Sequence, residues 1–543
     1  VARRFFRTPE IGAATALVVA GVLARLLRYV ACFPLREGED YVAATLVTRS
    51  LADLHRPLGY ETVCPVGFLW LEGLVVRVVG ISEYALRLVP LLFGIGALLL
   101  FARITRRTLA GPAGVFAIGF LAVAYQSIRQ SAEAKHYTLD LFFAVLMVGL
   151  TLGLLSAPLE RRKTWITGLA AAIPVAVVCS LTSGFVVATA ILAIGWTDGF
   201  ERGGVALQRG PGVFRRLAPA AGLAALAFGC FAALWSLQLS AVSRAVHSSG
   251  ALTEAWKGVY PPVSSPGRLS AWLLETHTGR MFAYPFGDKN LGSVATTVLF
   301  VLGLVEARRR RWTGLLLLAG TPFLIGLGAA FLHLYPYGDN DRLVVYLAPG
   351  ICLMAGLGAA TLLARLRGEA RQERVLLAAS GALVLAGLAV GVDSLRQPYA
   401  GLDDEQERLF ARGVWSEAMA GGEAAAAWDD LQIALEPERW LWGDTGWAAA
   451  FRYYRARYGP PPWRAGDGRW GVLGADRPLR VLTWSPRSDP PPERESAWLD
   501  SIAKRFRLVR RRDLSVNPPS HYVIYELAPA GPAAEALPAF PPP

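Results

Sequence analysis

Three carboxylates fall within four residues in LREGEDY, where Glu37, Glu39 and Asp40 follow directly on the first long apolar run. Acids that are crowded and partly withdrawn from water disfavour each other's charge, which raises a pKa toward the range where a carboxylate serves as a general base. The same residues would suit the first turn of a helix, where acids favour the dipole. A second cluster, SIRQSAEAKHYTLD, brings Arg129, Glu133, Lys135, His136, Tyr137 and Asp140 together, and HLYPYGDNDR adds Tyr335, Tyr337, Asp341 and Arg342. Such cations need an anionic partner. It is either a phosphate, held by charge-assisted hydrogen bonds, or a local acid such as Glu133 or Asp341. Arg342 with its tyrosines suits phosphate, with Lys135, Arg129 and Tyr335 as companions, and Glu133, His136, Tyr137 and Asp140 are candidates for contact with the rest of a substrate. HTGRMFAYPFGDKN carries His277, Arg280, Tyr284 and Asp288. These residues would line a sugar or acceptor site, or belong to an ordinary amphipathic loop. Glu83 and Arg87 in SEYALRL have i,i+4 spacing with the acid first, the order expected of a structural pair on one helix.

Other chemistries lack their motifs. The chain has no HExxH, no CxxC pair, no glycine-rich phosphate loop and no serine nucleophile elbow, so soluble nucleotide chemistry is unsupported. No second acidic cluster matches the first, so no metal or other cofactor is expected; were a divalent ion used, Asp140 would be the best-placed partner. Five cysteines are too few for a disulfide scaffold. Cys32 and Cys64 flank one outer loop, where they would either bridge or remain as two thiols at the membrane boundary.

The elements that position these clusters are apolar runs. Residues 11 to 395 are a succession of them, joined by short loops of which every second is rich in arginine, such as Arg103/Arg106/Arg107, Arg161/Arg162/Lys163 and Arg308 to Arg311. This alternation follows the positive-inside rule. It gives about eleven spans of roughly 20 residues, near 11–33, 84–103, 111–126, 137–156, 165–180, 184–199, 218–238, 293–307, 313–332, 343–363 and 375–395. The run 111–126 is short, and 165–199 reads equally as one broken hairpin around LTSGF. The N-terminus would be cytoplasmic, the first run a retained signal anchor, and the clusters would lie together on the outer side. Arg25 and Arg28, in the outer half of the first span, must then face protein or a wet cavity. Hydrophobic residues make up 53% of the chain and charged ones only 18%, and the net charge of +13 sits mostly on the cytoplasmic loops, so it points to the lipid bilayer and not to nucleic acid.

Two outer loops are long, 34–83 and 239–292. The first holds two helical patterns too short to cross, EDYVAATLVTRSLADL, suited to the interface, and VGFLWLEGLVVRVVG, whose apolar side is interrupted by Glu72 and Arg77. After residue 396 the composition turns polar and Pro-rich. RPLRVLTWSP and SHYVIYELA read as strands, TGWAAAFRYYRARYG and PERESAWLDSIAKRF as helices, giving a small α/β outer domain over 396–528 behind a transmembrane domain over 1–395. The aromatics of WGDTGWAAAFRYY would serve as a glycan surface or as a core. The tail 529–543 is low-complexity and reads as disordered.

In their order and spacing, the acidic cluster, CPVGFLWLEGLVVRVVGISEYALRLVPLLFGIGALLLFARITRR, IRQSAEAKHYTLDLFFA and YPYGDNDRLVVYLAPG resemble the bacterial GT-C class membrane glycosyltransferases. The family 39 and RgtA-like branch is most similar, related to protein O-mannosyltransferases and lipid A aminoarabinose transferases. The resemblance is strong over 35–145, recurs at 333–365 and is weak elsewhere. It implies an all-α polytopic GT-C fold in a bacterial inner membrane. It also implies transfer of a sugar, with inversion, from a polyprenyl-phosphate donor to a glycan, lipid, lipopolysaccharide or protein acceptor on the outer face. A first-loop carboxylate acts on the acceptor hydroxyl in that family, commonly from a DE pair; here the pair is reversed as Glu39-Asp40, with Glu37 or Gly38 at the usual aspartate position. Arg342 and Lys135 would stabilise the leaving phosphate. Some relatives with a different acidic motif use a divalent ion.

Two readings from other classes compete. A lipid or glycan transporter or flippase also needs many spans and intramembrane charges, but the large outer domain, the lack of an inverted repeat and the gathering of charge at the outer mouth weigh against it. A non-catalytic envelope scaffold would leave the first-loop acids without a task.

Overall fold

The structure, a computed structural model, describes residues 8–36, 38–58, 63–201, 211–249, 258–287, 292–338 and 341–399, together with the strands and a few helical positions of the C-terminal region. Helices occupy every segment expected to span. They are α1 (Thr8–Val30), α4 (Glu83–Thr108), α5 (Pro112–Ala122), α7 (Tyr137–Ser156), α8 (Leu159–Cys179), α9 (Ser183–Trp196), α10 (Pro211–Leu234), α13 (Gly292–Arg309), α14 (Thr313–Phe331), α15 (Ala348–Leu363) and α16 (Glu369–Arg396). Among the described residues 8 helices are long and apolar enough to cross a membrane. Of the remainder, α5 and α9 are shorter, and α13 ends in Glu306, Arg308 and Arg309. The chain is a multi-pass membrane protein. The segment 165–199 is two helices, parted at Ser180–Thr182.

The reason α5 stops early is Arg25. Fully buried in α1, its guanidinium donates to the carbonyls of Ala122 at 2.8 Å and Leu121 at 3.5 Å, which a continuing helix would have used itself. The expectation that Arg25 and Arg28 face protein therefore holds; Arg28, also buried, donates to Ser394 and lies over the Phe33 ring. Elsewhere the helices approach through small residues: a Cβ on Gly358 would meet the Leu299 carbonyl of α13, a crossing that only glycine permits.

Between the spans lie α2 (Glu39–Thr48), α3 (Val66–Val79), α6 (Tyr125–Gln130), α11 (Ser240–Ser249) and α12 (Pro266–Thr278). The two short patterns of the first loop are thus helices, but their placement differs from expectation. α2 is packed inside the protein, with Glu39, Asp40 and Val42 to Leu46 all buried. α3 turns Phe68, Leu69, Glu72 and Val76 inward and exposes Trp70, Leu74, Val78 and Val79, so Glu72 interrupts the buried side.

The C-terminal region contains a four-stranded sheet in the order β1-β2-β4-β3. It comprises β1 (Leu431–Ile433), β2 (Leu479–Ser485), β3 (Phe506–Asp513) and β4 (His521–Pro529). β1 runs parallel to β2 and the other pairs are antiparallel, with Val481 opposite Tyr525. β2 and β4 are the two expected strands. β3 was not expected: its FRLVRRRD hides the alternation under arginines, as an exposed edge strand can. The expected helix around Arg452 is described only at 453–454 and 456–457, where it is helical, and that over 492–506 only at 500, 503 and Phe506, the last of which opens β3. The tail beyond Pro529 lies outside the described residues. All five cysteines are free, so Cys32 and Cys64 do not bridge.

Candidate active site

The first loop enters α2 through Gly38, whose φ of 79° lies in the left-handed region that glycine adopts without strain. This turn delivers Glu39 and Asp40 into the protein, 3% and 6% exposed. Arg87, one turn into α4, meets Glu39 as a fork: its Nε donates to Oε1 and its Nη2 to Oε2, both at 3.0 Å. The same guanidinium donates to the carbonyls of Phe33 and Pro34. Backbone N–H groups complete the Glu39 carboxylate, that of Ala134 reaching Oε1 at 2.6 Å and that of Arg36 reaching Oε2 at 3.1 Å. Glu39 therefore ties the first loop, α4 and the 131–136 turn together. Arg87 does not pair with Glu83 along the helix. Glu83 instead pairs with Arg457 of the C-terminal region and lies 3.4 Å from the Tyr453 hydroxyl.

Asp40 is the opposite case. Its Oδ1 is buried and has no hydrogen-bond partner among the described residues. Burial raises its pKa to about 7, against the opposing pull of Lys135 and of backbone hydrogen bonds at Tyr41 and Gly38. Lys135 itself stands over Gly38: a Cβ there would come within 2.7 Å of Nζ, so the glycine makes room for the ammonium.

Beside this pair lies a cluster of guanidinium groups. Arg129 reaches Glu133 through Nε at 3.1 Å and Asp341 through Nη2 at 3.2 Å. Burial would raise the pKa of Glu133, but Arg129, Arg342, Arg28 and Arg36 outweigh it and hold the carboxyl below its usual range. With four cations acting on Glu133, and Arg129 shared with Asp341, this part of the site is net positive. His136 and Asp140 follow, Nε2 to Oδ2 at 3.6 Å, with the Ser180 hydroxyl donating to Asp140 Oδ1 at 2.5 Å. Burial and Lys135 depress the His136 pKa to about 3, so the imidazole is neutral. Tyr137 is buried against His136, ring centroids 4.9 Å apart. Tyr335 packs on Phe185 and donates to the Leu343 carbonyl.

The structure thus gathers Glu39, Asp40, Arg129, Glu133, Lys135, His136, Tyr137, Asp140, Tyr335 and Arg342 around one region. His277 and Arg280 stand outside it. His277 is held by the Leu273 carbonyl and the Tyr337 hydroxyl within an aromatic layer with Phe282 and Phe323. Arg280 is exposed, and its carbonyl accepts from Gln126. Glu37 and Asp288 lie outside the described residues. Among the described residues no three His, Cys, Asp or Glu side chains converge as metal ligands would, and Asp140 is already engaged by Ser180.

Two parts of the site were not anticipated. Helical spacing pairs Arg87 with Glu83, because it ranks near neighbours above a residue 48 positions away. Ser180, in the LTSGF break between α8 and α9, had only that break as a signal.

Comparison with known proteins places this geometry. Residues 63–204 match the family described as dolichyl-phosphate-mannose-protein mannosyltransferase. The fold is similar to that of ArnT from Cupriavidus metallidurans in the apo state, at 14% identity and a TM-score of 0.51, covering 95% of this chain and 98% of that one. The same protein bound to undecaprenyl phosphate matches at 13% identity and a TM-score of 0.50, with 93% and 97% covered. The apo oligosaccharyltransferase of Archaeoglobus fulgidus matches at 15% identity and a TM-score of 0.50, over 81% of this chain and 64% of that one. No curated protein matches the sequence. The chain has the GT-C fold of membrane glycosyltransferases, as its sequence motifs suggested.

Proposed function

We propose that the protein transfers a sugar from a polyprenyl-phosphate donor to an acceptor hydroxyl on the outer face of a bacterial inner membrane, with inversion and with Asp40 as the base. The observation that carries this reading is the division between the two neighbouring acids. Glu39 is saturated by Arg87 and two backbone amides, whereas Asp40 keeps a buried oxygen without a partner and a pKa near the working pH. Asp40 takes the acceptor's proton as the oxygen bonds to the anomeric carbon. As that bond forms on one face, the bond to the carrier phosphate breaks on the other, the phosphate leaves with the bonding electron pair, and its charge is met by Lys135 and Arg342. A phosphate carrier is supported by the arginines gathered near Glu133 and by the undecaprenyl phosphate bound to the similar ArnT. The acceptor is a glycan, a lipid or a protein.

The test uses purified wild type and Asp40→Asn with a panel of polyprenyl-phosphate sugars and membrane extract, followed by mass spectrometry of the lipid-linked sugars. One donor should be consumed by wild type, and the variant should be slower by about 10²–10⁴, as loss of a general base predicts. Full activity in Asp40→Asn would overturn the assignment; no consumption by folded wild type would favour a transporter.

A further inference from the structure

The C-terminal region touches the transmembrane part at the helix end that holds Glu39. Tyr453 and Tyr454 are 0% and 1% exposed and pack into the same core as the spans. The Tyr453 hydroxyl faces Glu83, and Arg457, one helical turn on, pairs with it. Glu83 begins α4 behind the Ser82 cap, and Arg87 follows one turn later on the same side of the helix. Tyr454 lies in the neighbourhood of Arg87. On the other flank Arg408, paired with Glu405, donates to the Cys32 carbonyl at 2.6 Å, just where the first loop leaves α1. A cavity of about 240 Å³, lined by Cys32, Glu83, Glu405, Arg408 and Arg457 among others, lies at the joint.

We infer that Tyr453, Tyr454 and Arg457 form a clamp on the outer end of α4 that positions the Glu39–Asp40 turn through Arg87, making the C-terminal domain a working part of the active site. The inference rests on the reading of Asp40 as the base. The path is a chain of contacts. Arg457 and Tyr453 fix Glu83, α4 carries Arg87 one turn below, and Arg87 forks onto Glu39, whose neighbour in sequence is Asp40. Tyr453, Tyr454 and Arg457 reach Asp40 only through Glu83, Arg87 and Glu39, so the three C-terminal residues are positioning residues.

Two variants test it, Arg457→Gln at the partly exposed end and Tyr454→Leu, which keeps apolar bulk in the core. Two readouts are taken on the full chain: kcat and KM for the donor, and hydrogen exchange at the Ala134 amide, which is bonded to Glu39 Oε1. Misplacing a reacting group by an ångström costs up to about 10²-fold. Each variant should therefore lower kcat per folded molecule by about tenfold with donor KM within about twofold, and should speed Ala134 exchange by about tenfold. Unchanged Ala134 exchange in both variants overturns the clamp, even if the C-terminal strands exchange faster. Faster Ala134 exchange with kcat unchanged also overturns it, because the turn would then be loosened without consequence. The exchange readout needs no activity, so it decides the clamp even if Asp40→Asn shows the transferase reading to be wrong.

Discussion

Replacing Asp40 with asparagine should change how stability depends on pH, and the size of the change follows from the burial of the carboxyl. An aspartate ordinarily at 3.8 is raised here to about 7, a displacement of about 3 units, or about 4 kcal/mol between the two protonation states. The folded protein holds the proton more tightly than the unfolded chain, so stability is full below pH 4, falls as the pH rises from there, and levels off above about 7. About 3 kcal/mol of the loss belongs to the interval between pH 5 and pH 8. Asparagine carries no charge to bury and fills nearly the same volume, so the variant should lack this component. Fluorescence-monitored melting in detergent from pH 4 to pH 8 measures it by difference. The curves of wild type and Asp40→Asn should meet near pH 4 and separate by several degrees at pH 8, with the variant more stable. Parallel curves, or a variant less stable at pH 8, would refute the argument that Asp40 is buried without adequate partners.

The transfer rate of wild type should rise with pH with a midpoint near 7, where Asp40 loses its proton, and His136→Gln should leave that midpoint in place because the imidazole is already neutral; a pH–rate series for both checks this. Arg87→Ala leaves Glu39 as a buried charge without its fork and should cost about 3–5 kcal/mol, visible in a melting experiment as a much larger loss than Glu39 and Arg87 replaced together. Gly38→Ala forces a side chain into a φ of 79° and into the space of Lys135 Nζ. It should cost about 1–2 kcal/mol and raise the pH midpoint of transfer, since the ammonium that lowers the Asp40 pKa is displaced.

Much of the architecture was written in long-wavelength features of the sequence. Spans show as apolar runs because the bilayer punishes exposed backbone and charge over some 20 consecutive residues, and even the short α5 could be placed, though not explained. Arg25 explains it, and no local pattern joins Arg25 to Ala122. The reacting cluster was legible as clustered types, since Glu39, Asp40, Glu133 and Lys135 have no reason to sit in such company on an apolar chain. Their division of labour was not. Which acid is saturated depends on Arg87, Ala134 and Arg36 converging on one carboxylate, a matter of three-dimensional approach. Glu72 makes the same point in reverse: it looked like a break in an apolar helix face and is buried without a partner for either oxygen among the described residues. His277 and Arg280 have side chains suited to a sugar site, but an aromatic layer and an exposed position respectively keep them apart from the cluster.

The early stop of α5 has a consequence for the kind of molecule the site can admit. A helix of 11 residues rises only about 16 Å, little more than half of a hydrocarbon layer about 30 Å thick. Beyond it the chain turns through α6 into the segment that carries the buried Glu133, Lys135 and His136 before α7 begins. For the polyprenyl-phosphate donor proposed above, a short span followed by such a charged segment would let the head meet these groups while the tail stays in the leaflet. Selection by amphiphilic shape would thus begin before any contact with the sugar.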